Sequence, residues 1–133
     1  MTQKLDWQKL FDAAEQGRKN AYAPYSKFQV GAAFFADDGT IVVGGNVENA
    51  SYGLTVCAER NAINAAVLAG KKLAAIAIVV DSRDPTPPCG MCRQVIAEFA
   101  GDATPIASRT VSGKEAHWTL GELLPHAFRR SFL

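Results

Sequence analysis

Apolar positions change period several times along the chain, and each change marks an element. Trp7, Leu10, Phe11 and Ala14 recur at i, i+3, i+4 and i+7, which puts them on one helical face. A first helix is therefore expected from Asp6 to about Tyr22, stopped by Pro24. Phe28 to Ala36 reads as a strand, Asp37-Asp38-Gly39-Thr40 as a turn, and Ile41 to Val43 as the returning strand, because Asp-Gly between apolar runs favours a hairpin. Gly44-Gly45 is expected to end that strand and open the polar stretch Asn46 to Gly53.

Thr55 is the expected N-cap of a second helix reaching about Ala69, with Gly70 as its stop and Lys71-Lys72 complementing the negative helix end. Leu73 to Val80 is an unbroken apolar run, the mark of a strand covered on both faces and so central in its sheet. The segment from Asp81 to Pro88 holds three prolines and cannot be helical; a third helix is expected from near Cys89 to Phe99. Pro105 to Val111 and His117 to Thr119 read as short strands about a Ser112-Gly113-Lys114 turn. Thr119-Leu120-Gly121-Glu122 has capping-box spacing for a last short helix. This order predicts an α/β chain: a three-layer α/β/α sandwich with a central mixed β-sheet.

Composition narrows the picture. The 133 residues suit one domain spanning 1–133, and 48% hydrophobic with 20% charged residues is the balance of a globular protein. A net charge of +1 supplies no general field for nucleic acid or an anionic membrane. No apolar run approaches the roughly 20 residues of a membrane span, and the first ten residues lack a signal-peptide core, so the expected address is cytoplasmic, without membrane association.

The chain has three cysteines, an odd number that argues against a disulfide framework. All three fall at expected helix starts: Cys57 just after Thr55, and Cys89 and Cys92 after Pro87-Pro88. Helix N-termini carry unpaired N–H groups and partial positive charge, which favour thiolate over thiol. Thiolates bind borderline metals, zinc above all. Three protein ligands leave one tetrahedral position for water, the arrangement of a catalytic rather than a structural zinc. Glu59 stands two residues past Cys57, close to the metal in sequence but not required as a ligand. Three thiolates on Zn²⁺ sum to about −1, and Arg60 beside them would offset that charge.

Plainer readings compete with this one. A lone C-x-x-C also suits a thioredoxin-like redox pair, or inert core thiols. Against the redox pair, Cys89-Gly90-Met91-Cys92 follows a proline-rich loop rather than the first strand of a βαβ unit. Glu59 taken alone is an ordinary solvated helix residue. Phe28 and Phe128 taken alone are ordinary core residues. His117 and His126 are read as structural or surface residues, since three sulfurs are already available.

The segments Thr55-Val56-Cys57-Ala58-Glu59-Arg60 and Pro88-Cys89-Gly90-Met91-Cys92-Arg93-Gln94 fit the Cys₃ form of the zinc-deaminase signature. With Pro24-Tyr25-Ser26-Lys27-Phe28-Gln29-Val30-Gly31-Ala32-Ala33 and Asn46-Val47-Glu48-Asn49-Ala50-Ser51-Tyr52-Gly53, the chain resembles the small, Cys₃-zinc, homotetrameric cytidine deaminases from its first helix to about Phe128. The resemblance implies one zinc per subunit, held by Cys57, Cys89 and Cys92, with Glu59 as the catalytic acid and base. It implies Asn46 and Glu48 on the ribose, Phe28 packed on the pyrimidine, and the backbone at Ala58 together with Glu59 reading the cytosine edge. It further implies a homotetramer in which Ala50, Tyr52 and a C-terminal phenylalanine reach a neighbouring subunit's site. That phenylalanine is expected to be Phe128; Phe132 is the weaker alternative, in a tail from Arg129 to Leu133 that matches nothing.

The implied activity is zinc-dependent hydrolytic deamination of cytidine and 2′-deoxycytidine to uridine and 2′-deoxyuridine with loss of ammonia, a pyrimidine-salvage reaction on a free nucleoside. Three rivals are a deaminase of a peptidyl-nucleoside antibiotic, a deaminase of RNA or DNA, and an inactive zinc-binding interaction module. The antibiotic deaminases differ where this chain has Asn46 to Asn49. The near-neutral charge counts against nucleic acid, and Glu59 with an incomplete ligand set counts against a closed structural site.

Overall fold

The computed structural model describes residues 4–133. Helix α1 (Trp7–Lys19) is capped by the Asp6 carboxylate, which accepts the Lys9 amide at 3.2 Å. It buries Leu10, Phe11 and Ala14, the stripe its periodicity marked. Strands β1 (Val30–Ala36) and β2 (Ile41–Gly45) form the expected hairpin, followed by α2 (Ala58–Leu68) and β3 (Leu73–Val80). Then come α3 (Gly90–Phe99), β4 (Pro105–Thr110), β5 (Glu115–Thr119) and the short α4 (Leu120–Leu123). Thr119 and Glu122 close the predicted capping box.

The five strands lie in the order β2-β1-β3-β4-β5, so β3 is central as its continuous apolar run required. The sheet is mixed: β3 and β4 are parallel and the other pairs antiparallel. Alternation along β1, β3 and β4 divides the core. Ala33, Phe35, Ala75, Ala77, Val79 and Ala107 pack with Leu10, Phe11 and Ala14 of α1. Ala32, Phe34, Ile76, Ile78, Val80 and Ile106 pack with α2, α3 and α4 on the other face. The result is the three-layer sandwich.

Several element ends differ from the pattern-based expectation, each for a tertiary reason. The first helix ends at Lys19 rather than Tyr22, because the Tyr22 amide and carbonyl pair with Asn46 and Glu48 instead. The first strand begins at Val30, leaving Phe28 in a loop. The second strand continues through Gly44 and Gly45, paired with Ala32 and Gly31, rather than stopping there. Both glycines are pressed by helices: a Cβ on Gly44 would lie 2.5 Å from the Ala58 carbonyl of α2, and one on Gly45 would lie 2.5 Å from the Gly17 carbonyl of α1. Here glycine permits close approach and does not end the strand.

Thr55 does not cap α2. Val56 pairs with Val47 in a short antiparallel bridge, so the chain stays extended until Cys57, which is the N-cap. A 3₁₀ turn, Tyr52–Leu54, lies just before it, and a second, Arg130–Phe132, orders the tail. Gly70 stops α2 as expected, with φ of +75° in the left-handed region. Strand β4 ends at Thr110 and β5 starts two residues before His117. His117 sits edge-on to the rings of Trp7 and Phe11, a structural position. Among the described residues no helix is long and apolar enough to cross a membrane.

Candidate active site

Two helices begin on adjacent cysteines. Cys57 is the N-cap of α2 and Cys89 the N-cap of α3, and neither side chain caps its own helix, so both sulfurs are left for other work. Cys92 follows one turn into α3 and is fully buried. The three sulfurs lie within 4.8 Å of one another, with 3.9 Å between Cys57 and Cys89 and 3.4 Å between Cys89 and Cys92. A tetrahedral zinc with Zn–S near 2.3 Å needs sulfurs roughly 3.8 Å apart. The donor set therefore fits zinc in both chemistry and spacing.

The electrostatics favour a thiolate at Cys57. First-turn amides of both helices lack intrahelical partners and give each helix start a partial positive charge. The Cys57 thiol is held well below its usual range, first by hydrogen bonding with Cys92 and then by Arg60 and Cys89. Cys92 is pushed upward by that same bond to Cys57 and by burial. Nη2 of Arg60 lies 3.6 Å from Cys57 Sγ and also donates to the Thr55 carbonyl at 3.3 Å.

Glu59, in the first turn of α2, is 5% exposed. Burial pushes its carboxyl up to about 7, and the charge on Cys57 adds to the rise. A carboxyl poised near neutrality can hold or release a proton under ordinary conditions.

Phe28, Asn46, Cys57, Ala58, Glu59 and Cys89 line one cavity of about 210 Å³, together with Val30, Thr55, Ile78, Val80, Thr86 and Pro87. Glu48 and Tyr52 line an adjoining hollow with Tyr25, Ser26 and Thr55, so Thr55 forms the shared wall. Asn46 and Glu48 are brought here by a short ladder: Tyr22 bonds Asn46 and Glu48 through its backbone, and Val47 exchanges both bonds with Val56. In that extended segment residues two apart face the same side.

Ala50 and Phe128 line neither space. Tyr52 is 76% exposed and Phe128 59% exposed, the latter stacked on Phe132 with ring centres 5.9 Å apart. Arg60 lies outside the cavity lining, against Cys57. A larger groove of about 630 Å³, lined by residues including Lys4, Trp7, Phe35 and Ile41, brings together neither sulfurs nor a buried acid.

Some of the site was not singled out from the sequence. Ile78 and Val80 read only as core, and Thr86 and Pro87 only as a helix-breaking loop, yet all four line the cavity. Ser26 lay within a matched segment without a role. The structure puts its hydroxyl on the Glu48 carboxylate and its own amide on the same group.

Comparison with known proteins places this geometry. Residues 5–108 match the profile described as the cytidine and deoxycytidylate deaminase zinc-binding region. A cytidine deaminase from Halalkalibacterium halodurans is 49% identical over 125 residues, which cover 93% of this chain and 95% of the relative. One from Sporosarcina psychrophila is 45% identical over 130 residues, covering 97% and 96%. The crystal structure of a cytidine deaminase from Burkholderia pseudomallei superposes with a TM-score of 0.90 at 44% identity, covering 93% of this chain and all of that one.

Proposed function

The chain belongs to the cytidine and deoxycytidylate deaminase zinc-binding family, and on that premise we propose that it hydrolyses cytidine and 2′-deoxycytidine to uridine and 2′-deoxyuridine, releasing ammonia. One observation carries the reading above the others: the buried Glu59 carboxyl lines the same small cavity as two of the three clustered sulfurs and the Phe28 ring.

Cys57, Cys89 and Cys92 would hold one zinc per subunit. When bound there, the ion supplies the Lewis acidity that makes water a nucleophile near neutral pH. Glu59 takes a proton from the attacking water and places it on N3 of the pyrimidine, an acceptor that gains basicity as C4 becomes tetrahedral. It then passes the remaining hydroxyl proton to the amino group at C4. The C4–N bond breaks, ammonia departs and the carbonyl of uridine forms. Phe28 packs on the ring and excludes water. The Ala58 amide, free at the start of α2, donates to the cytosine edge.

The polar groups support a free nucleoside and a tolerance for either sugar. Glu48 Oε1 accepts the Tyr25 and Ser26 amides at 3.0 and 3.1 Å, and Oε2 accepts the Ser26 hydroxyl. A carboxylate offers about four acceptor sites, so three donors leave one. Glu48 therefore reads one sugar hydroxyl, not a diol. The 3′-hydroxyl, common to both nucleosides, is the one that fits both substrates. Asn46, which completes the sugar contact, already spends one donor on the Phe28 carbonyl and one acceptor on the Val30 amide.

Ala50, Tyr52 and Phe128 complete a neighbouring subunit's site in a homotetramer, a reading supported by the exposure of both aromatic rings. The enzyme serves pyrimidine salvage in the cytoplasm. The test is direct: zinc-loaded protein mixed with cytidine or 2′-deoxycytidine, followed by ultraviolet absorbance and released ammonia. We expect both to be consumed, with kcat/KM within about tenfold, as one shared hydroxyl contact predicts. Turnover of neither would overturn the reading.

A further inference from the structure

We propose that Ser26 is a positioning residue for the sugar end of the site: its hydroxyl donates to Glu48 Oε2 and accepts the Phe28 amide at 3.0 Å, fixing the carboxylate and the aromatic platform relative to each other. The proposal rests on the sugar-reading role given to Glu48 above.

The local backbone is shaped around this hydroxyl. Lys27, between Ser26 and Phe28, has φ of +62°, a left-handed conformation that side chains other than glycine seldom adopt. With Lys27 so placed, the Phe28 amide folds back onto the Ser26 side chain two residues earlier, a serine turn. The Lys27 amide meanwhile bonds the Ala23 carbonyl at 3.1 Å. Asn46 donates to the Phe28 carbonyl at 2.9 Å. The N–H and C=O of Phe28 are thus both held by polar side chains that face the substrate spaces. Base platform and sugar acceptors form one hydrogen-bonded unit, with Ser26 joining Phe28 to Glu48.

Without the Ser26 hydroxyl, Glu48 keeps both amides on Oε1. The carboxylate is then pinned at Oε1 alone, and Oε2 can pivot about that atom through coupled changes of the side-chain torsions, of which the last is broad. The oxygen with the remaining acceptor site loses its direction, and so does the contact to a sugar hydroxyl. Ser26 is exposed, so its alanine variant leaves the core intact.

The experiment compares full-length zinc-loaded wild type, Ser26→Ala and Ser26→Thr on cytidine and 3′-deoxycytidine. In Ser26→Ala, KM for cytidine should rise about tenfold with kcat within about twofold, the pattern of a lost binding contact. The loss in kcat/KM caused by removing the 3′-hydroxyl should shrink at least about threefold, because the oriented acceptor is gone. Threonine, which keeps the hydroxyl, should recover both values. An unchanged KM in Ser26→Ala overturns the proposal. So does a raised KM with the wild-type 3′-hydroxyl penalty, since that marks a merely structural effect, and so does failure of threonine to recover. Wild type that turns over no cytidine overturns the parent reading, and the sugar role with it.

Discussion

Arg60 Nη2 stands 3.6 Å from the sulfur of Cys57, one helical turn after the cysteine that opens α2. A guanidinium so placed offsets part of the charge that three thiolates would concentrate on a metal. The contact is also reciprocal: hydrogen bonding with Cys57 raises the Arg60 pKa as it lowers that of the thiol.

Replacing Arg60 with Gln should weaken zinc retention by about 10- to 100-fold, the usual cost of losing a group that supports metal ligands. Competition with a graded chelator, read by a metallochromic dye, checks this without reference to turnover. Retention equal to wild type would remove Arg60 from the charge balance.

Glu59→Gln keeps the shape of the side chain but cannot cycle a proton. Zinc content should stay at one per chain while kcat on cytidine falls by at least about 10²- to 10⁴-fold, the range of general acid–base catalysis. Metal analysis and steady-state kinetics on the same preparation separate the two effects.

Gly44→Ala should strike the fold rather than the chemistry. The added methyl would meet the Ala58 carbonyl at 2.5 Å and the Ala62 amide at 2.6 Å, both backbone atoms of α2. A loss of about 1–3 kcal/mol is expected for overpacking of this kind, more if α2 cannot shift. Urea unfolding of wild type and variant measures it; equal midpoints would mean that α2 moves freely away from β2.

Acid stability has a traceable contributor in Asp38, whose carboxylate is held below its usual range first by the Lys71 ammonium at 2.9 Å and then by Thr40. A depressed folded-state value gives stability that is present above the unfolded value, near pH 4, and is lost as pH falls through the folded one. Asp38→Asn should therefore be less stable than wild type at neutral pH, with the difference closing as pH falls below about 4. Urea midpoints between pH 3 and 7 provide the check.

Much of the fold was legible because its signals are local. Periodicity marked the buried face of α1, the continuous apolar run put β3 at the centre, Gly70 stopped α2, and Thr119 with Glu122 announced the last helix. Where a neighbour through space competes with local preference, the local signal misplaces the element's end. Thr55 is a better N-cap than Cys57 by residue type, but the bridge from Val56 to Val47 delays the helix by two residues. Gly44-Gly45 looks like a strand end until two helices are found pressing on it.

The chemistry divides in the same way. By itself the sequence determined the donor types: three thiols at helix starts, an acid two residues from one of them, and an arginine beside that acid. These follow from spacing along a helix, which local backbone geometry fixes. Only the tertiary structure decided that Cys57 meets Cys89 across 32 residues, that Glu59 is buried enough to hold a proton near neutrality, and that Ser26 occupies one acceptor site of Glu48. Each of those depends on how the sheet aligns the starts of α2 and α3 and on how the loops before β1 and after β2 bond to each other. Contacts of that kind are set by the packing of distant segments, which a periodic pattern along one segment does not encode.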